Sequence, residues 1–315
     1  MYVQKVCRGR KAGILANMRI AIQGETGSFS HEAALQFEPN ATVLPCMLSA
    51  DAFRELEEGG TDALAIPIEN TLAGSVVEHF DLLYAREVHI AAETILPIRH
   101  NLIGLPGSTV ASIRRVYSHP VALAQCRRFF ADHPRIEPVP FYDTAGAVKQ
   151  LVKLRDRHSG AIAGDRAALV YKGQILLPGV EDDPANFTRF LLVFAGPAGS
   201  APPSGAAVPA GGAPSVGGTR IPGAKTAPGT ADRRDGEPSQ SSGEPAGPLK
   251  VTVGLELQNA PGRLAAALTA AASAGANLTK VQSRPIPGQP WSFIFFLDAV
   301  VQNRPAADIL IDRLR

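Results

Sequence analysis

The sequence predicts an α/β protein in two parts, and three observations predict it. Strand-like apolar runs alternate with helical stretches between residues 19 and 195, which implies largely parallel or mixed sheets. A segment of 53 residues, 196–248, holds 12 Gly and 10 Pro, no aromatic residue, and only Val208, Val216 and Ile221 as large aliphatics. Such a stretch buries too little surface to offset its ordering entropy and reads as a disordered linker. Beyond it, residues 250–315 carry a β-α-β-β-α pattern.

In the large part, Arg19–Gln23 reads as a short strand, followed by a Gly-rich turn and a helix over Ser30–Phe37. Ala63–Ile68 is a second apolar run, and an amphipathic helix through Val76, Phe80 and Leu83 follows it. His89–Glu93, Asn101–Leu105, Arg115–Tyr117 and Leu191–Phe194 read as strands. Val121–Phe130, Thr144–Leu154 and Asp165–Tyr171 read as helices. In the small part, Val251, Val253, Leu255 and Leu257 share one face of a period-2 strand. A Pro261-Gly262 turn opens a helix through Leu264, Leu268 and Ala272, which Gly275 can end in the left-handed conformation. Asn277–Arg284 and Trp291–Val300 are strands joined by the turn Pro285–Pro290, and a last helix starts at Ala306. The pattern is ferredoxin-like without the final strand, which leaves the edge of the first strand open to pairing.

Composition excludes several classes. The 315 residues suit about two domains. A net charge of +2, from 31 basic and 29 acidic residues, argues against nucleic acid or a membrane surface as partner. No apolar run approaches the ~18 residues of a membrane helix. Residues 12–16 are too short for a secretory core, and Met18 is an alternative start. Three scattered cysteines favour neither a disulfide framework nor a zinc site. The expectation is a cytoplasmic protein without a metal.

Several turns carry polar groups that chemistry can use. Gly24-Glu25-Thr26-Gly27-Ser28-Phe29-Ser30 joins a strand to a helix, where backbone N–H groups and the helix N-terminus favour an anion. A tight turn capped by Ser28 or Ser30 explains it as readily. Pro67-Ile68-Glu69-Asn70-Thr71 sets a carboxylate, an amide and a hydroxyl at a strand's carboxyl end, or simply caps the next helix. Ser118-His119-Pro120 precedes a helix bearing Gln125 and Cys126. Adjacent Ser and His do not form a triad, and no G-x-S-x-G elbow is present, so a hydrolase is disfavoured. Asp143-Thr144-Ala145-Gly146 is a further strand-to-helix turn. In Asn186-Phe187-Thr188-Arg189-Phe190, Arg189 offers a planar fork that matches a carboxylate.

In this order, these stretches resemble the prephenate dehydratase family. Gly24–Ser30 matches G-x-x-G-[ST]-[FY]-[ST], Pro67–Thr71 matches P-[IV]-E-N-[ST], and Asn186–Phe190 matches N-x-T-R-F. The segments His89–His100, Ser118–Cys126 and Asp143–Gly146 match the family in between. The small part resembles the family's ACT regulatory domain, with Asn259–Leu264 matching N/D-x-P-G-x-L and Gln282–Pro285 standing for E-S-R-P. Departures are Gln282 for the acidic residue, Ala265 for an aromatic one, and Val121 for the Gln that often follows S-H-P.

The resemblance implies two α/β subdomains around a cleft, as in periplasmic binding proteins, at about 19–97 with 178–195 and 98–177. It implies loss of CO2 and water from prephenate to give phenylpyruvate, driven by aromatisation and needing no cofactor. Thr188 is the implied catalytic hydroxyl. Asn70, Glu69, Ser118, Gln125, Thr144, Arg189, Phe190, Gly27 and Ser28 are the implied substrate contacts, with Arg189 on a carboxylate. Asn259, Pro261, Gly262, Leu264, Ser283, Arg284 and Pro285 are the implied phenylalanine site, and a homodimer or tetramer is the implied assembly. Arogenate dehydratase and a non-catalytic amino-acid sensor are the alternatives.

Overall fold

The computed structural model describes residues 2–6, 18–196, 248–286 and 288–315, the first of these as backbone only. All but the two end residues of the Gly/Pro segment 196–248 lie outside the described residues. The N-terminal strand β1 spans Tyr2–Val6. After it come β2 (Arg19–Gln23), α1 (Phe29–Phe37), β3 (Thr42–Cys46), α2 (Ser49–Glu57), β4 (Ala63–Asn70), β5 (Gly74–Ser75), α3 (Val77–Ala85) and β6 (Val88–Pro97). The next stretch holds β7 (Asn101–Gly104), β8 (Arg115–Ser118), α4 (Pro120–Ala124), α5 (Arg127–Asp132), β9 (Glu137–Pro140) and α6 (Thr144–Leu154). Then follow β10 (Ser159–Ala163), α7 (Asp165–Tyr171), β11 (Gln174–Leu177) and β12 (Phe187–Ala195). The C-terminal unit is β13 (Leu249–Leu257), α8 (Arg263–Ser273), β14 (Asn277–Pro285), β15 (Phe293–Val301) and α9 (Arg304–Leu314).

These strands form three sheets, ordered β3-β2-β4-β12-β6, β11-β7-β10-β8-β9 and β1-β13-β15-β14. The first is mixed: β2, β3 and β4 run parallel, whereas β12 is antiparallel to both β4 and β6. β4 and β12 are central and covered on both faces, so both read as near-continuous apolar runs. Along β12, Phe190, Leu192 and Phe194 pack on the α1 side with Ala33, Ala34 and Phe37. Leu191 and Val193 pack on the opposite side, with Phe53, Phe80 and the C-terminal residues Ile294 and Phe296. Period-2 alternation therefore gives every residue of this strand one of two destinations.

The C-terminal sheet is two-faced in the same way. Val251, Val253 and Leu255 meet the helices through Ala271, Ala307 and Leu310. Its other face lies on the first sheet, where Phe296 packs at a tilt against Phe80, 5.1 Å between ring centroids. The first strand's edge is not open, as the sequence suggests, but paired antiparallel with β1, from Tyr2 opposite Gly254 to Val6 opposite Lys250. The N-terminal strand thus occupies the β13 edge of this sheet.

Another expectation changes. The predicted helix Val121–Phe130 breaks into α4 and α5 at Gln125 and Cys126. Asp182 causes the break from a distance: its carboxylate accepts from the N–H groups of Arg127 (3.0 Å) and Arg128 (2.8 Å), and its own N–H donates to the Gln125 carbonyl. Among the described residues no helix is long and apolar enough to cross a membrane, and no three His, Cys, Asp or Glu side chains gather as metal ligands.

Candidate active site

The site lies where the carboxyl ends of β2 and β4 face those of β8, β9 and β10, the usual ligand position in open α/β sheets. Asn70 ends β4, and Thr188 lies directly opposite it on β12. Asn70 Nδ2 donates to Thr188 Oγ1 (2.9 Å), Asn186 Oδ1 (2.7 Å) and the Phe187 carbonyl (3.1 Å), sharing two protons among three acceptors. Its Oδ1 accepts from the N–H groups of Leu72 and Ala73, which fixes the orientation of the amide. Because Asn70 occupies a lone pair of Thr188 Oγ1, the hydroxyl proton remains to be donated elsewhere.

Two further side chains complete the network, and neither stood among the implied substrate contacts. Asn186 Nδ2 donates to Gln125 Oε1 (3.0 Å), and His100 Nε2 donates to the same oxygen (3.0 Å). Gln125 Nε2 reaches Asn70 Oδ1 at 3.5 Å. The sequence signal for Asn186 and His100 was their place in the matched segments, since buried polar residues in apolar surroundings demand partners. His100 is 2% exposed, and burial holds its pKa below the ordinary value against the opposing pull of Gln125 and Glu181. It is therefore the neutral Nε2–H tautomer at neutral pH.

A bulge decides which residues face this network. The ladder pairs Thr188 with Asn70 and Arg189 with Glu69, then slips so that Phe190 meets Pro67. Leu64, Ile66 and Ile68 all point to the C-terminal side. Simple alternation would send Asn70 there too and Glu69 toward the cleft. Pro67 has no N–H to give the ladder, and the extra residue beside it reverses the alternation.

Several implied contacts are thereby corrected. Arg189 does not face the cleft: one residue along the strand from Thr188, it points to the opposite side and pairs with Asp298 at 2.7 Å and Glu93 at 3.7 Å. Glu69 also points away and receives Lys280 Nζ at 2.6 Å. Phe190 is buried in the apolar core with Ala33 and Phe37. Ser118 is fully buried and donates to the Ile162 carbonyl at 2.6 Å. The Gly27 N–H already donates to His31 Nδ1 (2.8 Å); Ser28 Oγ caps α1 by accepting from the His31 N–H and, unlike the others, keeps its own proton to donate. Gly27 serves a close approach: at its φ of +92° a side chain is strained, and its Cβ would come within 3.0 Å of Ala167 Cα.

Thr144 remains at the first turn of α6, beside the Asp143 cap that accepts from the Gly146 N–H at 2.6 Å. Across from it, Glu25 accepts from Tyr142 Oη (2.7 Å) and Lys149 Nζ (2.8 Å), so a three-residue contact joins the first and second sheets' turns. Ser49 and His79 form a hydroxyl–imidazole pair at 2.9 Å, but both are sealed in the core, which denies them a substrate.

In the C-terminal unit, Asn259 and Leu264 line a shallow cavity of about 130 Å³ with Leu257, Phe293 and Phe295. Gly262, after Pro261, opens α8 at φ +81°. Ser283 lies beside Phe295 on the edge strand, and Pro285 beside Phe293. Arg284 is turned to the other face, where it grips Asp81 at 2.7 and 3.1 Å.

Burial lowers the pKa of His31, His79, His89, His100 and His119 below the ordinary ~6.5. Below that pH the unfolded chain takes up protons that the folded chain refuses. The stability is complete above about pH 6.5 and is lost as pH falls. Glu32 and Asp143, raised by burial, act in the opposite direction, whereas Glu25, held down against its burial by Lys149 and Tyr142, and Asp156, held down by Ser159, act with the histidines. A urea midpoint lower at about pH 5.5 than at about pH 7.5 is the expected result; a higher one contradicts it.

A family model described as prephenate dehydratase matches residues 20–197. Arogenate dehydratase 3, chloroplastic, of Arabidopsis thaliana is 38% identical over 183 residues, covering 58% of this chain and 43% of that protein. The chain thus spans less than half of that relative's length. A solved prephenate dehydratase from Arthrobacter aurescens in complex with L-Phe has a TM-score of 0.73 at 25% identity, over 94% of this chain and 85% of that one. GqqA, described as a novel type of quorum quenching acylase, has a TM-score of 0.72 at 28% identity, over 94% of this chain and 92% of that one.

Proposed function

The chain belongs to the prephenate dehydratase family, and from that premise we propose that it converts prephenate to phenylpyruvate, CO2 and water. The observation that carries this reading is the Asn70–Thr188 pair. In the proposed reaction the electron pair of the ring carbon–carboxylate bond moves into the ring as CO2 departs. The C4–oxygen bond breaks, and the departing hydroxide takes one proton from solvent and leaves as water. Thr188 Oγ, polarised by the amide of Asn70, donates a hydrogen bond to that oxygen as its charge grows. A donor aimed at charge that develops only in the transition state accelerates the step without tightening ground-state binding.

Substrate is held by groups that the fold leaves near this pair. Gln125, kept in place by His100 and Asn186, presents its Nε2 amide toward Asn70. Thr144 supplies the start of α6, where a carboxylate meets the positive end of the helix. Arg189 has no part in binding, because its guanidinium is committed to Asp298.

Arogenate differs from prephenate only in the side chain, which carries an ammonium in place of a keto oxygen, and the Arabidopsis relative bears an arogenate dehydratase name. Prephenate and arogenate supplied separately to the purified chain decide between them. Phenylpyruvate from prephenate supports the reading, phenylalanine from arogenate alone moves it to the other substrate, and no product from either overturns it. The acylase activity named for GqqA is not adopted here, since the Ser49–His79 pair is sealed from substrate.

We further read the C-terminal unit as an ACT regulatory domain that binds phenylalanine in the cavity at Asn259–Leu264, in a chain that forms a homodimer or tetramer. The cavity floor of Phe293 and Phe295 suits an aromatic side chain. Arg284 stands apart from this reading, as Asp81 holds it on the other face.

A further inference from the structure

The two residues turned away from the cleft meet two residues of the C-terminal sheet in matched register. Glu69 and Arg189 are cross-strand partners in the first sheet, next to the partners Asn70 and Thr188. Lys280 and Asp298 are cross-strand partners in the C-terminal sheet. The two pairs dock face to face: Lys280 Nζ lies 2.6 Å from Glu69 Oε1, and Arg189 Nη2 lies 2.7 Å from Asp298 Oδ2.

Each contact is braced. Ser75 Oγ accepts from Lys280 at 2.8 Å, and Thr252 Oγ1 donates to Asp298 Oδ1 at 2.7 Å. Lys250 flanks Arg189 through their shared partner Glu93. Lys280, Arg189 and Asp298 have side chains at most 11% exposed and Glu69 38%, so solvent screens the Arg189–Asp298 pair little and the Lys280–Glu69 pair more.

We propose that Lys280 and Asp298 are positioning residues for the reaction: the C-terminal sheet sets the separation of Asn70 and Thr188 by gripping the residue beside each. The physical argument is that β4 is bulged at this point, and a bulge leaves the local ladder underdetermined. Two ion pairs from one rigid cross-strand unit fix its two sides at once. The inference rests on the proposed role of Thr188, and its test separates the two.

The full chain is compared with Lys280→Met, Glu69→Lys, Lys280→Glu, and the double variant Glu69→Lys/Lys280→Glu. The expected result is a fall in kcat of about 10–100-fold in each single variant, with KM little changed, because misplacement of a reacting group by up to about 1 Å is costly. The double variant restores the ion pair in reverse and recovers most of the lost kcat. Hydrogen exchange is followed in parallel at residues 68–71 and 186–190, and is expected to quicken in the single variants and return to the parental rate in the double one. Single variants with parental kcat per folded molecule, or a double variant as impaired as the singles, overturn the inference. Should the parental chain turn over neither substrate, the proposed reaction falls, and exchange decides alone: unchanged rates at both segments overturn the positioning role.

Discussion

Thr188→Val is expected to lower kcat by about 10²–10³-fold while the chain stays folded and KM changes little. Valine keeps the shape and the β-branched preference for a strand, so what is removed is the hydroxyl alone. The Asn70 amide retains Asn186 Oδ1 and the Phe187 carbonyl as acceptors, and no buried donor is orphaned. Thr188→Ser keeps a hydroxyl that Asn70 can still reach, and is expected to retain far more activity than the valine variant. Steady-state rates of phenylpyruvate release for the three proteins check this. A Thr188→Val chain with parental kcat would remove Thr188 from the mechanism.

Arg189→Leu is expected to act first on stability, at a cost of about 3–5 kcal/mol. The substitution leaves Asp298, 1% exposed, as a carboxylate without its guanidinium partner. Replacing both partners, as Arg189→Leu with Asp298→Leu, is expected to recover much of that loss, since no charge is then buried alone. Denaturant midpoints of the parent, the single and the double variant measure it. The outcome also discriminates between roles for this arginine. A substrate-binding arginine would raise KM with an unchanged midpoint, whereas an arginine committed to the C-terminal sheet moves the midpoint first.

How much of this was legible in the sequence depends on whether a residue's local pattern decided its direction. The helix Thr144–Leu154 was readable because Asp143 is a strong cap and the apolar residues recur at helical spacing. The strand beginning Val251 was readable because its alternation is strict. The break at Gln125 was not readable: no Gly or Pro marks it, and its cause, Asp182, lies 55 residues beyond Arg127 in the chain. Pairing of β1 with β13 was equally hidden, since about 250 residues separate the partners and β-pairing depends on backbone atoms that every sequence shares.

The candidate site divides along the same line. The sequence alone determined which chemical groups are present: Asn70, Thr188 and Gln125 stand in matched segments, and the structure joins all three in one hydrogen-bonded network. It also placed Arg189 one residue from Thr188, which in any strand sends the two side chains to opposite faces. Only the tertiary structure decided which face is the cleft, because the bulge at Pro67 reverses the alternation of β4 and the C-terminal sheet covers the other side. Glu69 and Arg189 thus belong to a contact between domains, for the physical reason that a one-residue slip in a β-ladder moves a side chain across the whole thickness of the sheet.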